Sequence, residues 1–372
     1  MQGGGGMSAG AARWVPPFCP NPACPYHRDP GAGWRWIHAG CYTRRAAPPR
    51  IPRFQCCHCR RHFSTQTFSP TYWLRRPELL AEVFHQLVAC CGFRQIARRY
   101  DISPQTVLTH AARLGRHCLL VHEAHRPRGP VREPLVLDGF ESFEHSQFHP
   151  TRFHVVVGMR SHYFYGFTAS ELRRSGRMTP RQRRRRAALE ARLGRPDPRA
   201  TERDVAALLR LLAPAPQALD LHSDQHPAYP RALRRLPHLT VAHHTVSSRA
   251  ARTPRNPLWP INLLDLLIRH SGANHKRETI AQSKRRQSAI ERLLVFLVWR
   301  NQVKWFSEQR RDATPAMRLG LATARSTVAD LLAQRQFPSR SALPPCWADY
   351  YWRRVPTRAF AHSRAHCLRY AT

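Results

Sequence analysis

Two apolar segments of this chain each run directly into an aspartate. Residues 135–137 precede Asp138, and residues 219–223 precede Asp224. Short apolar runs bounded by polar residues are typical of buried strands. Carboxylate oxygens are the ligands that hard divalent cations prefer. If the two strands are neighbours, Asp138 and Asp224 converge, and the pair predicts a metal site at the end of a sheet.

The surrounding pattern predicts a mixed sheet covered by helices. Three strand-like segments follow one another, and helices and strands then alternate, which favours an α/β domain. The expected strands are residues 135–137, 153–157, 163–167, 218–221 and 239–242. The expected helices are residues 201–212 and 228–236, with longer helices from Ile261 onward.

Charge composition identifies the class of partner. The chain has 60 Lys and Arg against 23 Asp and Glu, a formal net charge of +37. Self-repulsion of that size destabilises a compact chain unless a polyanion binds it, which indicates nucleic acid. Nearly all of the positive charge is Arg, which suits bidentate phosphate contacts but equally reflects genomic base composition.

No run of about 18 apolar residues is present, and the Gly-rich start lacks the apolar core of a signal peptide. We therefore expect an intracellular protein without a membrane partner. In that compartment the eleven cysteines are expected to be thiols or metal ligands rather than disulfides.

Two close cysteine pairs lie near the start of the chain. Cys19 and Cys24 form the first pair, and Cys56 and Cys59 form the second. Four thiolates on two turns can surround a zinc ion, which then replaces the core that so short a segment lacks. The alternatives are free cysteines in a flexible arm, or substitute ligands from a nearby set. That set is Cys41, Cys57, His27 and His58.

Helical periodicity begins after Pro77 and predicts a helix-turn-helix. A helix ending before Gly92 is followed by a short helix at residues 93–100 and a third at residues 105–114. Ser103 and Pro104 supply an N-cap and a first helical residue. This layout places the third helix in the major groove, unless the three helices merely pack together. The expected exposed DNA contacts are Gln105, Thr106, Thr109 and His110.

Between residues 19 and 310 these features resemble, in their order, the transposases of small bacterial insertion sequences, which are DDE-type enzymes. The matching motifs are the knuckle Phe54-Gln55-Cys56-x-x-Cys59-Arg60-Arg61-x-Phe63-Ser64, the helix-turn-helix, strand-borne Asp138, Ser223-Asp224-x-x-x-x-Tyr229, and Arg269-x7-Arg277-Glu278-Thr279-x3-Ser283.

The resemblance implies a ribonuclease H-like domain in which three acids hold two Mg²⁺ or Mn²⁺ ions. Asp138 and Asp224 match the first two acids. At the family's third position, a Glu, this chain has Asn262, and Asp265 lies one helical turn later. We expect Asp265 to be the third acid. Glu278 and Glu291 are alternatives, and a broken triad in an inactive protein is another.

Basic residues after the third acid are expected to hold DNA: Arg269, Lys276, Arg277 and Lys284. An Arg-rich insertion at residues 171–198 is expected to be an exposed helix or linker that clamps phosphate. Packing is the expected role of the four histidines near Asp224, although phosphate contact or proton transfer is an alternative; they are His222, His226, His243 and His244.

The sequence thus predicts a multidomain fold, with a zinc ribbon and a mostly α helix-turn-helix followed by an α/β ribonuclease H-like domain. The expected ranges are a flexible N-terminus (1–14), ribbon (15–70), helix-turn-helix (75–124), catalytic domain (132–312) and basic C-terminal region (313–372). The function implied is a transposase acting on double-stranded DNA as a homodimer or higher oligomer in the bacterial cytoplasm, associated with the nucleoid. The alternatives are a non-catalytic DNA-binding regulator and a metal-dependent nuclease.

Overall fold

The computed structural model describes residues 14–247, 249–276 and 279–360. The chain divides into two compact units. Unit 1 comprises residues 14–77 and 333–340, and unit 2 comprises residues 78–332 and 341–360. The three helices of the expected helix-turn-helix therefore belong to the same unit as the expected catalytic sheet. Within the described residues, none of the helices has the length and apolar content needed to cross a bilayer.

Unit 1 is a three-stranded antiparallel sheet with an aromatic core. Its strands are β1 (Trp36–Thr43), β2 (Arg50–Cys56) and β3 (His62–Ser64), with β2 in the centre. Short 3₁₀ helices lie at Pro25–His27, Thr65–Phe68 and Pro338–Arg340. The core is built from the rings of Phe18, Phe54, Phe63, Phe68 and Phe337.

Unit 2 begins with α1 (Leu79–Val88), α2 (Phe93–Tyr100) and α3 (Pro104–His125). Asp101 ends α2 in the left-handed conformation, and the Ser103 side chain accepts a hydrogen bond from the Thr106 backbone N–H at 3.1 Å. The predicted turn and N-cap are therefore present. The third helix is longer than predicted, because apolar residues such as Leu119 and Leu120 carry it on into the core of the unit.

The sheet of unit 2 has five strands in the order β6-β5-β4-β7-β8. β4 pairs antiparallel with β5 and parallel with β7; β5 pairs antiparallel with β6, and β7 parallel with β8. The expected mixed sheet is confirmed, and each strand is longer than its apolar segment. The strands are β4 (Leu135–Phe143), β5 (Pro150–Gly158), β6 (Phe164–Glu171), β7 (Gln217–Asp224) and β8 (Leu239–Val246).

Helices follow and connect these strands. They are α4 (Pro180–Leu193), α5 (Ala200–Leu212), α6 (Ala228–Leu233), α7 (Trp259–Ser271), α8 (Arg286–Val298) with a π-helical turn at Trp299–Val303, α9 (Pro315–Arg318), α10 (Val328–Leu331) and α11 (Pro345–Tyr351). α5 packs on one face of the sheet, where Asp204 accepts a hydrogen bond from Ser170 at 2.8 Å. α7 packs against β4 and β5.

The C-terminal region, whose role the sequence leaves open, contributes to both units. Residues 333–340 belong to unit 1. In unit 2, Trp347 is buried and its indole N–H donates to the backbone oxygen of Phe167 at 3.4 Å, while Tyr350 stacks on the Phe167 ring. Gly166 leaves the space that Trp347 fills, since a Cβ there would lie 2.8 Å from the indole. Residues 341–351 therefore complete the core of unit 2.

Candidate active site and metal centres

Asp138 lies on the central strand of the unit 2 sheet, β4, and Asp224 lies on the neighbouring strand β7. β4 and β7 run parallel with Leu137 opposite Ser223, so the next residue of each strand brings the two aspartates into register. Both side chains are half-buried. Asp138 lies within β4 rather than at its end, because the pairing of β4 with β5 continues as far as Phe143. Asp224 is the last residue of β7 rather than the residue beyond it.

Asp265 reaches the same site from α7. It lines, together with Asp138, an open cleft of about 910 Å³. The Oδ1 atom of Asp265 is buried, and it has no hydrogen-bond partner among the described residues. Burial and the charge of Asp138 raise the pKa of Asp265 to about 7. Burial, and to a smaller extent the charge of Asp224, raises the pKa of Asp138 to about 6.

The three carboxylates influence one buried phenol. Burial raises the pKa of Tyr229, and the charges of Asp138, Asp224 and Asp265 act in the same direction. Among the described residues, however, the three acids do not form a group whose ligand atoms all lie within 4.8 Å.

The alternatives for the third acid have other surroundings. Glu291 is fully buried on α8, where its carboxylate pairs with the Arg353 guanidinium at 2.7 Å. Glu278 lies outside the described residues. Asn262 lines the cleft one turn before Asp265. Of the acids considered, Asp265 alone both faces Asp138 and lines the cleft.

Positive charges surround the cleft. Arg252, Arg269 and Lys276 line it. The charges of Arg269 and Arg252 oppose the rise in the pKa of Asp265, so both guanidinium groups act on the carboxylate. Arg269 also donates a hydrogen bond to the His275 backbone oxygen at 3.1 Å. Arg252 lies in a loop rich in Pro and Arg, and nothing in the sequence pattern distinguishes it.

Arg152 and His226 form a pair near the acids; the sequence interpretation named His226, with packing as its expected role, but missed Arg152. The Arg152 Nη1 atom lies 2.7 Å from the His226 Nε2 atom, and the His226 backbone N–H donates to Asp224 at 3.0 Å. Gly139 makes room for Arg152, because a Cβ there would lie 2.8 Å from the Arg152 side chain. Glu141 and Arg152 are register partners on β4 and β5. Aligning the two strands as an antiparallel pair would have placed these opposite charges side by side and drawn attention to Arg152.

A basic groove of about 820 Å³ lies beside the cleft in the same unit. Residues of α2 and of the segment that follows α7 line this groove. Lys276 lines both the groove and the acidic cleft. The cationic side chains along it are Arg94, Arg98, Lys276, Lys284, Arg285 and Arg292. Lys276 and Lys284 are exposed, and Arg277 lies outside the described residues.

The expected DNA contacts on α3 differ in exposure. Gln105 and Thr109 are exposed, and Thr106 is half-buried beside its capping Ser103. The expected exposure of His110 is wrong. This side chain is 5% exposed, and its Nδ1 atom lies 2.9 Å from the Thr106 backbone oxygen. The cause is helical periodicity, since His110 lies one turn from Val107 and Leu114 on the buried face.

The cysteine group of unit 1 is close enough for one metal ion. The Sγ atoms of Cys19, Cys24, Cys56 and Cys59 all lie within 4.8 Å of one another, and the first three side chains are buried. Burial raises the pKa of Cys19. At Cys56 burial is outweighed by hydrogen bonds from the Cys59 backbone and the Trp34 indole, which lower the pKa of that thiol to about 7. Four thiol ligands fit zinc.

The substitute ligands do not join that group. The Cys41 Sγ atom accepts a hydrogen bond from Arg50 at 2.9 Å, and the His27 ring lies 2.7 Å from the Cys19 backbone oxygen and 2.9 Å from Ser339. Unit 1 also contains a groove of about 960 Å³ with five arginines in its lining. They are Arg44, Arg45, Arg61, Arg75 and Arg335.

The Arg-rich insertion forms α4, which has no buried residue. Arg173 donates two hydrogen bonds to Glu190 at 2.8 and 3.0 Å, which ties the start of the insertion to this helix. Arg183, Arg184 and Arg185 are exposed. The helix therefore presents a row of guanidinium groups to solvent.

No protein-family model matches the sequence, and no curated protein matches it. Among solved structures the chain is similar to a chain of the simian T-cell lymphotropic virus intasome in complex with PP2A regulatory subunit B56 gamma. The identity is 15%, the match covers 67% of this chain and 74% of that chain, and the TM-score is 0.25. A similarity of that size carries no argument, so the functional conclusion depends on the geometry of the site.

Proposed function

We propose that this chain is a DDE-type transposase, which cuts and joins DNA at the ends of its own insertion element. The observation that carries the proposal is the convergence of three acids: Asp138 and Asp265 line one cleft, and the charge of Asp224 acts on Asp138. Asp138 and Asp224 are in register on neighbouring strands, and Asp265 approaches from α7. The strand order of the mixed sheet supports a ribonuclease H-like assignment for the domain.

The cleft suits divalent cations for a reason independent of the resemblance. Among the described residues Asp265 has a buried oxygen without a hydrogen-bond partner, and burial raises the pKa values of Asp138 and Asp265, so a bound cation would favour both ionised carboxylates. Two bound Mg²⁺ or Mn²⁺ ions would supply stabilisation of the attacking and leaving oxygens of an in-line displacement. Asp138, Asp224 and Asp265 would hold them.

The positive residues would position the DNA strand. The charges of Arg252 and Arg269 oppose the rise in the pKa of Asp265 without cancelling it, and their guanidinium groups can donate to phosphate oxygens once cations neutralise the carboxylates. Lys276 belongs to both the cleft and the basic groove. A duplex contacted by Gln105 and Thr109 at the start of α3 would follow this groove to the acids.

Unit 1 would bind DNA as a zinc-stabilised module. The four thiols provide the metal site, and the arginine-lined groove of the unit provides phosphate contacts. We propose that units 1 and 2 together recognise the element end, and that the enzyme assembles on DNA as a homodimer or higher oligomer.

A strand-transfer assay tests the proposal. The substrates are duplexes carrying the sequences that flank the coding region of this chain, with a supercoiled plasmid as target and Mg²⁺ or Mn²⁺ in the buffer. We expect cleavage at the element end and joined products. Asp138→Asn, Asp224→Asn and Asp265→Asn should each lose both by at least about 100-fold while retaining DNA binding, since ligand loss removes ion-dependent stabilisation.

The exposed Asp312 provides the matched control, and Asp312→Asn should cleave and join like the parent chain. Binding without any metal-dependent cleavage would contradict the proposal and favour a DNA-binding regulator. Cleavage without joining would identify a nuclease. If Asp265→Asn keeps full activity while Asp138→Asn loses cleavage and joining, the third metal-binding acid is a residue other than Asp265.

A further inference from the structure

The structure assigns a second transition-metal site to the edge of the unit 2 sheet, formed by Asp220, His222 and His244. Their ligand atoms all lie within 4.8 Å of one another. We propose that this site binds Zn²⁺ and ties strand β8 to β7. It is a different group from the cysteines of unit 1, and it shares no residue with the three acids of the cleft.

Strand geometry places the three side chains together. Asp220 and His222 are two residues apart on β7, so they point to the same face of the sheet. His244 is the register partner of His222 on β8, and the two imidazole rings stack with centroids 4.7 Å apart. Two strands therefore hold all three ligands, and no loop has to move to assemble the site.

The distances between the three ligand atoms are compatible with one shared metal ion. The Asp220 Oδ1 atom lies 3.4 Å from the Nε2 atom of His222 and 3.1 Å from that of His244. Nevertheless, this oxygen is buried and has no hydrogen-bond partner among the described residues. With neutral imidazoles, the three atoms are free to bind one ion in place of these contacts. Ligand atoms about 2.1 Å from a tetrahedral zinc ion are about 3.4 Å apart.

The donor set selects the ion. Two imidazoles and one carboxylate are ligands that suit zinc, whereas Mg²⁺ prefers an all-oxygen shell. The His244 side chain is 54% exposed and that of Asp220 is 45% exposed, so an ion and a completing water molecule can enter from solvent. The site shares no residue with the acids of the cleft, and its nearest ligand, His222, lies two residues from Asp224, about 7 Å along the same face of β7.

The bound ion would stabilise the sheet edge next to the cleft. Within the described residues, β8 pairs with β7 alone. It carries two consecutive histidines, whose side chains point to opposite faces of the sheet. His244 faces the proposed ion, while the neighbouring His243 faces the other side and its ring lies 2.8 Å from the Ser223 hydroxyl. His243, which points away from the proposed ion, therefore provides a control for substitution of His244.

The test is metal stoichiometry in the full chain. Protein loaded with one zinc ion at the cysteine group is titrated with Zn²⁺ by calorimetry and with Co²⁺ by visible absorption, in the presence of Mg²⁺. We expect one further Zn²⁺ per chain, and Co²⁺ bands typical of nitrogen and oxygen ligands. His244→Gln and Asp220→Asn should weaken this binding by more than about 100-fold, since losing even an outer-shell partner costs about 10–100-fold.

His243→Gln and Asp224→Asn should bind the second ion as the parent does. The unfolding midpoint without the second ion should be the same for His244→Gln and the parent, which excludes misfolding as the cause of lost binding. A single zinc ion per chain would overturn the inference, as would undiminished binding by both ligand variants. Loss of the second ion in Asp224→Asn would assign it to the acidic cleft instead. None of these readouts depends on transposase activity.

Discussion

Replacing Asp265 by Asn should stabilise the protein in buffers that contain neither Mg²⁺ nor Mn²⁺. In the folded chain the pKa of Asp265 is raised from its usual value of 3.8 to about 7, first by burial and then by the charge of Asp138. The ionised carboxylate is therefore unfavourable in the folded state. Asn has nearly the same shape and never carries that charge.

The size of the effect follows from the two pKa values. A difference of about three pH units corresponds to about 4 kcal/mol, at 1.36 kcal/mol per unit. Because the pKa is raised, its contribution to stability is complete below pH 3.8 and is lost as the pH rises through about 7. Asp265→Asn should thus match the parent near pH 4 and exceed it by about 2–4 kcal/mol at pH 8.

Calorimetric or chemical unfolding at pH 4, 6 and 8 measures this difference. Asp312→Asn, an exposed change outside the cleft, should show none of it. Added Mg²⁺ should stabilise the parent and not Asp265→Asn, because an ion bound only to the folded state shifts the equilibrium toward it. A variant less stable than the parent at pH 8, or a difference that does not change with pH, would refute the account of the cleft.

Three further predictions concern other parts of the chain. Cys56→Ser should release zinc and unfold unit 1, measured by metal analysis and limited proteolysis, whereas Cys41→Ser outside the thiol group should keep the metal. Lys276→Ala combined with Lys284→Ala should weaken DNA binding equally on all sequences and reduce the slope of log K against log salt by about 2, measured by fluorescence anisotropy; an unchanged slope would exclude phosphate contacts. Gly115→Ala should lower the free energy of unfolding by about 1–3 kcal/mol, because its Cβ would lie 2.6 Å from the Glu291 backbone oxygen; unaltered unfolding would show that α3 and α8 can separate.

The sequence predicts elements well where local chemistry decides them. Ser103 and Pro104 mark the start of α3, and the apolar runs before Asp138 and Asp224 mark β4 and β7. Strand ends and the end of α3 depend on tertiary pairing, so those boundaries were underestimated. The buried position of His110 has a local signal, its spacing from Val107 and Leu114, which the interpretation did not use.

The site is predictable only in part. Residue type and strand position single out Asp138 and Asp224, and one turn of helix separates Asp265 from the family's position at Asn262. The roles of Arg252 and Arg152 arise from segments that are distant along the chain. The convergence of Asp220, His222 and His244 depends on the register of β7 with β8, which the separate strand patterns do not reveal.

Helix α3 has a mechanical consequence. A continuous helix of 22 residues is about 33 Å long, and it carries Gln105 at its exposed beginning and Leu119 and Leu120 in the core that supports the sheet. One continuous helix therefore joins the exposed Gln105 to the core of unit 2. If the start of α3 contacts a base pair and the three acids cut the strand as proposed, the distance between contact and cut is fixed. We then expect cleavage at a constant number of base pairs from the contacted position.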